Sequence, residues 1–438
     1  PMSVTSAAAA GPNPTRTLFG HPPGLTVLFL TQMWAEFSYF GLQALLVYYM
    51  TERLGFSQAK SSLIYGAYGA AAFFSPFFGG IISDRWLGRT RSVILGGLLM
   101  MCGHFAMAFP PLLFPALALV AIGNGLFIPP LAVQVGALYA DDDARKAHAF
   151  SAYYMGINLG GFLAPLVCGS LGEFLGWHFG FAAAGFGMLA GLVIYIAFRA
   201  ALPREPGLVG GAGASSRPVL TGAELRDLRL VAALVGAVVL FRVGYEQSGN
   251  VIALWVAHQT NRTLDLFGGH FIIPATWFQS INPLLIIALT PALIVLWGQR
   301  EHRRGAANLF WRMSLGCVVT SLAMVVMVGA AALYGDTHRP VGPGWVVSYF
   351  VLLTIGELMV IPVGLTLVSE LAPASAAAMA MGGWYIAKFL GSLLSGVMGA
   401  WWGVIPATVF FAIGAGSVLL AAGALFWLGR RRPVLVKG

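Results

Sequence analysis

Long apolar runs separated by short polar loops dominate the chain. Runs of roughly 20 residues, the length a helix needs to cross a hydrocarbon core, recur near residues 26–50, 61–82, 92–109, 113–139, 149–170, 179–199, 229–256, 271–297, 308–334, 344–369, 378–400 and 405–428. This pattern predicts twelve transmembrane helices. A β-barrel is excluded, because its strands need a period-two alternation that these unbroken runs lack. Composition points the same way: 58% of residues are hydrophobic, 9% are charged and the mean hydropathy is +0.80, whereas soluble domains carry about 25% charged residues. The expected fold class is an all-α membrane protein.

Charge adds an orientation. The first residues, PMSVTSAAAAGPNPTRTLFGHPPGL, show no charged start followed by an apolar core and a cleavage site, so the first helix is expected to direct insertion. With the N-terminus inside, nineteen of the 25 lysines and arginines fall in cytoplasmic segments, against Arg53, Lys60, Arg262 and Arg339 outside. The expectation is a multi-pass inner-membrane protein, surrounded by lipid, with both termini cytoplasmic. The net charge of +9 is spread over loops without forming a basic face, so no nucleic-acid partner is expected. Cys102, Cys168 and Cys317 fall within predicted helices without metal-ligand spacing and are expected to be small core residues, with no metal site.

The longest polar stretch, LPREPGLVGGAGASSRPVLTGAELRD, has the composition of a flexible linker and divides the helices six and six. The expected organisation is a flexible segment at 1–24, a six-helix bundle at 25–200, a cytoplasmic linker at 201–227, a second bundle at 228–430 and a basic tail at 431–438. Thr221 to Asp227 is expected to start a short interfacial helix. After the second predicted helix runs GGIISDRWLGRTR, residues 79–91. Here Gly80 allows close helix packing, Asp84 can cap the next helix, and Arg85, Arg89 and Arg91 hold the loop in the cytoplasm. With Gly88, this spacing resembles the loop motif of the major facilitator superfamily. That resemblance implies two six-helix bundles rocking around a midplane site, with these residues as a gating or conformational motif.

Five charges lie deep within predicted helices: Glu36, Arg242, Glu246, Glu357 and Lys388. A lone ion at mid-bilayer costs at least about 2.5–3.5 kcal/mol, so these side chains are expected to face a wet cavity or one another. Gln32, Glu36, Tyr39 and Gln43 share one helical face, as do Arg242, Glu246 and Asn250. Trp384 and Lys388 stack on another helix. A plainer alternative is that Arg242 and Glu246, one turn apart, merely lock the structure together. Glu36 has no obvious local partner. His104 reads as a satisfied core group.

FSYFGLQALLVYYM, GNGLFIPPLAVQVGALY, INLGGFLAPLVCG, YEQSGN, WFQSINPLLIIALTP and LTIGELMVIPVGLTLVSELAP together resemble the proton-dependent oligopeptide transporter family. The resemblance implies a secondary active symporter of di- and tripeptides, with no cofactor beyond the coupling proton, expected to act as a monomer and not as an enzyme. It implies substrate-binding roles for Tyr39, Asn158, Glu246, Asn282, Glu357 and Trp384. The family's helix 1 motif E-x-x-E-R is absent: Gln32 and Ala35 stand where acids belong and Glu36 where a base belongs. Gln43 and Ile128 replace further bases and Phe73 a tyrosine, while Arg242 and Lys388 are new positive charges. Losing one charge would strand its partner in low dielectric, so the exchange reads as a coordinated rewiring. Arg242 and Lys388 are expected to meet a substrate carboxylate, and Glu36, Glu246 and Glu357 an amine or the coupling proton. A carrier of another small zwitterion or modified peptide, or a member with weak or no proton-coupled peptide transport, is the alternative.

Overall fold

A computed structural model describes residues 20–140, 142–143, 145–203, 205, 221–266, 269–304, 309–373 and 376–431. Most of the expected N-terminal segment, linker and basic tail lies outside these residues. The chain runs through α1 (Pro23–Tyr48), α2 (Gln58–Ile82), α3 (Arg89–Ala106), α4 (Leu113–Gly136), α5 (Arg145–Phe174) and α6 (Trp177–Ala197). The second half follows with α7 (Gly222–Tyr245), α8 (Val251–Gln259), α9 (Ile281–Arg304), α10 (Leu309–Thr337), α11 (Gly344–Leu371), α12 (Ala377–Gly399) and α13 (Ala407–Arg431). Since α7 and α8 form one interrupted span, the helices make twelve crossings.

Eight spans among the described residues are long and apolar enough to cross a membrane on those grounds alone. The other four, α1, α2, α3 and α12, are diluted by polar stripes and by glycine and serine. Small residues bring helix backbones together, which substitutes for the hydrophobic drive that lipid does not supply between helices. Gly66 of α2 illustrates this: a Cβ there would lie 2.6 Å from Gly396 Cα on α12.

Three sequence expectations change. The seventh span breaks: Glu246–Gly249 forms a 3-10 turn and Asn250 (φ −108°, ψ −93°) leaves helical geometry before α8 begins. The eighth does not start at 271. Instead β1 (Thr263–Leu266) pairs antiparallel with β2 (Gly269–Ile272), with Thr263 opposite Ile272. Pro274, without an N–H and with a fixed φ, then precedes a 3-10 segment at Ala275–Ser280. Finally, Thr221 starts no separate interfacial helix. It caps α7 itself: its Oγ1 accepts from Glu224 N at 3.3 Å, while the Glu224 carboxylate accepts from Thr221 N at 2.8 Å. This reciprocal box satisfies two otherwise orphaned donors, and the helix continues unbroken to Tyr245.

The two ends of the bundle differ. One, the hairpin end, carries β1, β2 and the turns after α1, α3, α5, α10 and α12. The other, the basic end, carries the turns after α2, α4 and α11. At the hairpin end a single apolar core draws on both halves, from Leu42, Leu45 and Tyr48 of α1 to Val251–Val256 of α8 and Phe350 of α11. Towards the basic end there are two separate cores. One contains Leu28, Val93, Phe127 and Tyr195 of the first half, the other Phe241, Met313, Leu367 and Leu425 of the second. The halves are therefore fused at one end and separate at the other.

Hydrogen bonds follow the same division. At the hairpin end, the Glu173 carboxylate at the tip of α5 accepts from Ala275 N (2.9 Å), Thr276 N (2.9 Å) and Thr276 Oγ1 (2.8 Å). These groups begin the 3-10 segment of the second half, where free N–H groups favour an anion. Trp277 Nε1 donates to Ser170 Oγ at 2.8 Å, Tyr48 Oη to Ala253 O at 2.8 Å and Ser62 Oγ to Asn250 Oδ1 at 2.9 Å. Further along α2 and α12, Phe74 meets Phe389 with ring centroids 5.0 Å apart. Beyond that contact Phe77, Phe78, Tyr385 and Ile386 are exposed.

Candidate functional site

The fused end and the separated end meet at mid-depth, where the polar stripes lie. On α1, the shared face predicted from spacing is present. Gln32 Nε2 donates to Glu36 Oε1 at 2.7 Å, and Gln32 Oε1 accepts from Tyr153 Oη at 2.7 Å. The expectation that Glu36 lacks a local partner is thus corrected: an amide one turn away holds one oxygen. No described cation lies within ion-pair distance of Glu36. Tyr39 stacks on Tyr68 of α2 at 6.1 Å, its buried hydroxyl without a partner. Gln43 Nε2 donates to Tyr65 Oη at 2.9 Å, and Gln279 Nε2 to Ala44 O at 3.3 Å, roofing the site towards the hairpin end.

Arg242 of α7 and Glu246, the first residue of the 3-10 turn that follows it, form a buried ion pair. The two residues thus pair in this conformation, and Arg242 Nε is left buried without a partner. The expected stripe does not extend to Asn250, because the helix breaks between them and the Asn250 side chain reaches α2 of the other half. On α11, Glu357 is buried and its Oε2 accepts from Asn282 Nδ2 of α9 at 2.8 Å. Asn282 also donates to Thr354 Oγ1 at 3.0 Å.

Lys388 on α12 has no described carboxylate within ion-pair distance; its Nζ lies 4.8 Å from the centroid of Phe73. The Arg242 guanidinium lies 5.5 Å from the same ring and likewise 5.5 Å from the ring of Tyr245. Thus Phe73, noted in the sequence only as a departure from a tyrosine, is the surface that both cations share.

Of two further expected site residues, one lies outside the polar cluster and the other bonds within its own helix. Trp384 is buried in the second-half core, its ring over Gly364, one turn from Lys388 but not among the polar groups. Asn158 Nδ2 donates to Tyr154 O of its own helix at 3.0 Å. His104 is buried and bonded to Ser38 Oγ at 2.9 Å, as a core group would be, although Nδ1 has no partner. Cys168 and Cys317 are buried, but Cys102 is exposed and so is not a core residue.

The structure relocates two roles in the loop motif. Gly79, not Gly80, makes the close approach: a Cβ at Gly79 would lie 2.0 Å from Gly125 O, whereas one at Gly80 meets Pro129 Cβ at an ordinary 3.7 Å. Nor does Asp84 cap α3. That N-terminus receives the Glu205 carboxylate, which accepts from Thr90 N, beside Gly88 in the left-handed region (φ +77°). Asp84, Arg85 and Arg91 are exposed and Arg89 half-buried. Sequence reasoning also missed Glu173, Tyr65 and Tyr68. The tyrosines lie on α2 at helical spacing, but nothing local reveals that they face α1.

Twelve crossings in two halves, a discontinuous seventh span and opposed charges gathered at the join define a secondary transporter of the alternating-access kind. The sequence profile described as Major Facilitator Superfamily matches residues 28–391. The "Uncharacterized transporter YclF" of Bacillus subtilis (strain 168) is 32% identical, the match covering 93% of this chain and 94% of that protein. The "Peptide transporter YePEPT" of Yersinia enterocolitica is 30% identical over 88% of each. Among solved structures, a peptide transporter POT in complex with sulfate superimposes with a TM-score of 0.88 at 30% identity, covering 97% of this chain and 98% of that one. The chain belongs to the major facilitator superfamily, and within it to the peptide transporter (POT) family.

Proposed function

We propose that this protein carries di- and tripeptides across a cell membrane by proton-coupled symport, and that the coupling proton is the only cofactor. The observation that supports this reading is the arrangement of both signs of charge at one depth. Arg242 and Lys388 flank Phe73 on one side, and Glu36, Glu246 and Glu357 approach from α1, α7 and α11. A zwitterion needs opposed charges in a partly dehydrated pocket, where each is worth more than in water. Relatives named as peptide transporters also support this reading. In this reading the basic end is cytoplasmic, as the distribution of lysine and arginine requires, and the described conformation opens towards the inside of the cell. The protein works as a monomer, since one chain contains the whole site.

The charge count leaves one carboxylate in excess of the two cations. That carboxylate is the place for a proton, and Glu36 and Glu357 suit it better than Glu246, because their described partners are neutral amides whereas Glu246 has Arg242. Proteoliposomes with an inward proton gradient test the proposal. Uptake of labelled di- or tripeptide, abolished by a protonophore, is the expected result. No uptake of any such peptide, together with binding of other zwitterions that raise Tm, would transfer the site to a different small solute.

A further inference from the structure

The faces on which α2 and α12 touch can be followed turn by turn. Towards the hairpin end, a Cβ at Gly66 would lie 2.6 Å from Gly396 Cα, and one at Gly69 would lie 3.4 Å from Ser392 Cβ. A turn further on, Lys388 Nζ lies 4.8 Å from the Phe73 centroid, and beside them the Phe74 and Phe389 rings are 5.0 Å apart. At helical spacing the same two faces continue to Phe77 on α2 and Tyr385 on α12. Packing like that of their predecessors would bury both, yet Phe77 is 58% and Tyr385 50% exposed. The seam therefore parts at this turn. It leaves a cleft walled by Phe74, Phe77 and Phe78 on one side and by Tyr385, Ile386 and Phe389 on the other.

Depth decides what can fill the cleft. The 25 residues of α2 outreach a hydrocarbon layer roughly 30 Å thick, and Phe78 stands about 6 Å of helix from the last of them. That is just inside the layer, where acyl chains begin. Water there would hydrate six largely apolar side chains, a cost that a hydrocarbon chain removes. Phe74, Phe78, Ile81 and Arg85 follow at intervals of four, three and four on one exposed face. A guanidinium thus stands about 10 Å of helix beyond Phe78. Beside it Trp86, also exposed, has the character of an interfacial anchor. Arg89 and Arg91 follow in sequence, against the single acid Asp84.

We propose that this cleft docks one acyl chain of an anionic phospholipid whose phosphate meets Arg85. The apolar walls and the cation lie at the spacing of one lipid molecule, tail inward and headgroup at the membrane surface. A chain between Phe77 and Tyr385 acts as a wedge: it favours the conformation described here and must withdraw before the basic end closes. The proposal goes beyond the carrier reading and is independent of the solute carried.

The test places a bimane label inside the cleft, on Tyr385→Cys, or on the lipid-facing side of the same helix, on Leu394→Cys, both in a Cys102→Ser background. The full chain is held in phosphatidylcholine nanodiscs, and phospholipids with dibrominated acyl chains, which quench at short range, are added in steps. The Tyr385→Cys label is expected to be half-quenched at about a tenfold lower mole fraction of brominated phosphatidylglycerol than of brominated phosphatidylcholine, as a guanidinium near the headgroup favours an anionic lipid. The Leu394→Cys label should not distinguish the two. Arg85→Gln should abolish the preference and Arg85→Lys restore most of it, while Phe77→Asp, which sets a charge against the chain, should abolish it with Arg85 intact. Equal quenching by both lipids at Tyr385→Cys would mean annular lipid only, and the same preference at Leu394→Cys a general attraction. A preference that survives Phe77→Asp would mean that the headgroup binds alone. Each of these results overturns the proposal. If Tyr385→Cys does not fold, Phe78→Cys carries the label. For the wedge, spin labels at Ser151→Cys and Ser369→Cys, both exposed, should report a basic end parted about threefold more often in phosphatidylglycerol than in phosphatidylcholine, and a distance indifferent to lipid would overturn it. Liposomes that take up no peptide would remove the substrate reading and leave these measurements as they are.

Discussion

At the hairpin end, one glutamate meets four donors of the opposite half, Arg262 among them, aromatic rings interlock and a common core runs through both bundles. At the basic end, each bundle keeps its own core and its own caps: Glu205 serves α3, and Thr221 with Glu224 serves α7. The difference shows which end is closed. In this conformation the shared apolar core seals the hairpin end, and the parted basic end leaves each bundle its own core. An interface that is closed in one state can use polar contacts whose partners exchange for water. Glu173, with its backbone donors, is of this exchangeable kind.

The strongest way to break this contrast is at Gly66. Gly66→Val places side-chain atoms against the α12 backbone and is expected to reduce peptide uptake about a hundredfold, by a steric displacement that a packed interface cannot absorb. Gly80→Ala, with 3.7 Å to its nearest neighbour, should leave uptake close to wild type. Equal effects of the two would show that the fused end is not a seam. Next comes Glu173→Ala, which leaves two N–H groups and a hydroxyl without their acceptor, each worth about 1–3 kcal/mol when buried. A lowered Tm and roughly tenfold slower uptake are expected, with Glu173→Gln between this variant and wild type. Unchanged Tm would mean that water replaces the carboxylate at no cost.

Smaller effects test the site and the loops. Asn282→Ala removes the amide from Glu357, and because intramembrane side-chain hydrogen bonds average about 0.6 kcal/mol, uptake should fall while Tm hardly moves. The reverse would make Asn282 purely structural. Glu205→Ala should cost roughly 0.5–2 kcal/mol, the usual range for a lost helix-terminal acceptor, seen as a small fall in Tm. Last is Asp143→Asn. The Arg145 guanidinium beside Asp143 holds its carboxyl down to about 2, below its ordinary 3.8. A depressed carboxylate contributes above its unfolded value and loses that contribution only as pH falls through about 2. Between pH 7 and 5 the pair is constant, so the pH profile of uptake should be the same in this variant. A shifted profile would place part of the pH response in this loop.

Eight of the twelve crossings were legible from apolar length alone, and the other four from long runs that polar and small residues dilute without breaking. So was the set of intramembrane charges, because their cost in hydrocarbon makes them conspicuous wherever they stand. The α1 stripe was legible too, since residues three and four apart must share a face. Legibility stopped where a local rule met a distant partner. Glycines 79 and 80 are indistinguishable in sequence, and only the approach of Gly125 separates them. Asp84 sits where a cap belongs, yet Glu205, far along the chain, supplies it. Trp384 and Lys388 share a helical face, but neighbouring helices draw the ring into the core and leave the ammonium at the cavity.

By itself, then, the sequence determined the solvent of each segment and the inventory of charges, which are properties of single residues and of helical periodicity. The tertiary structure decided which charges meet. Arg242 finds Glu246 because one turn of one helix brings them together, whereas Glu36 and Lys388 stay apart because they ride on halves that are joined only at the other end. Pairing depends on distances between helices set by small residues and aromatic contacts scattered along the whole chain, and no local stretch of sequence contains that sum.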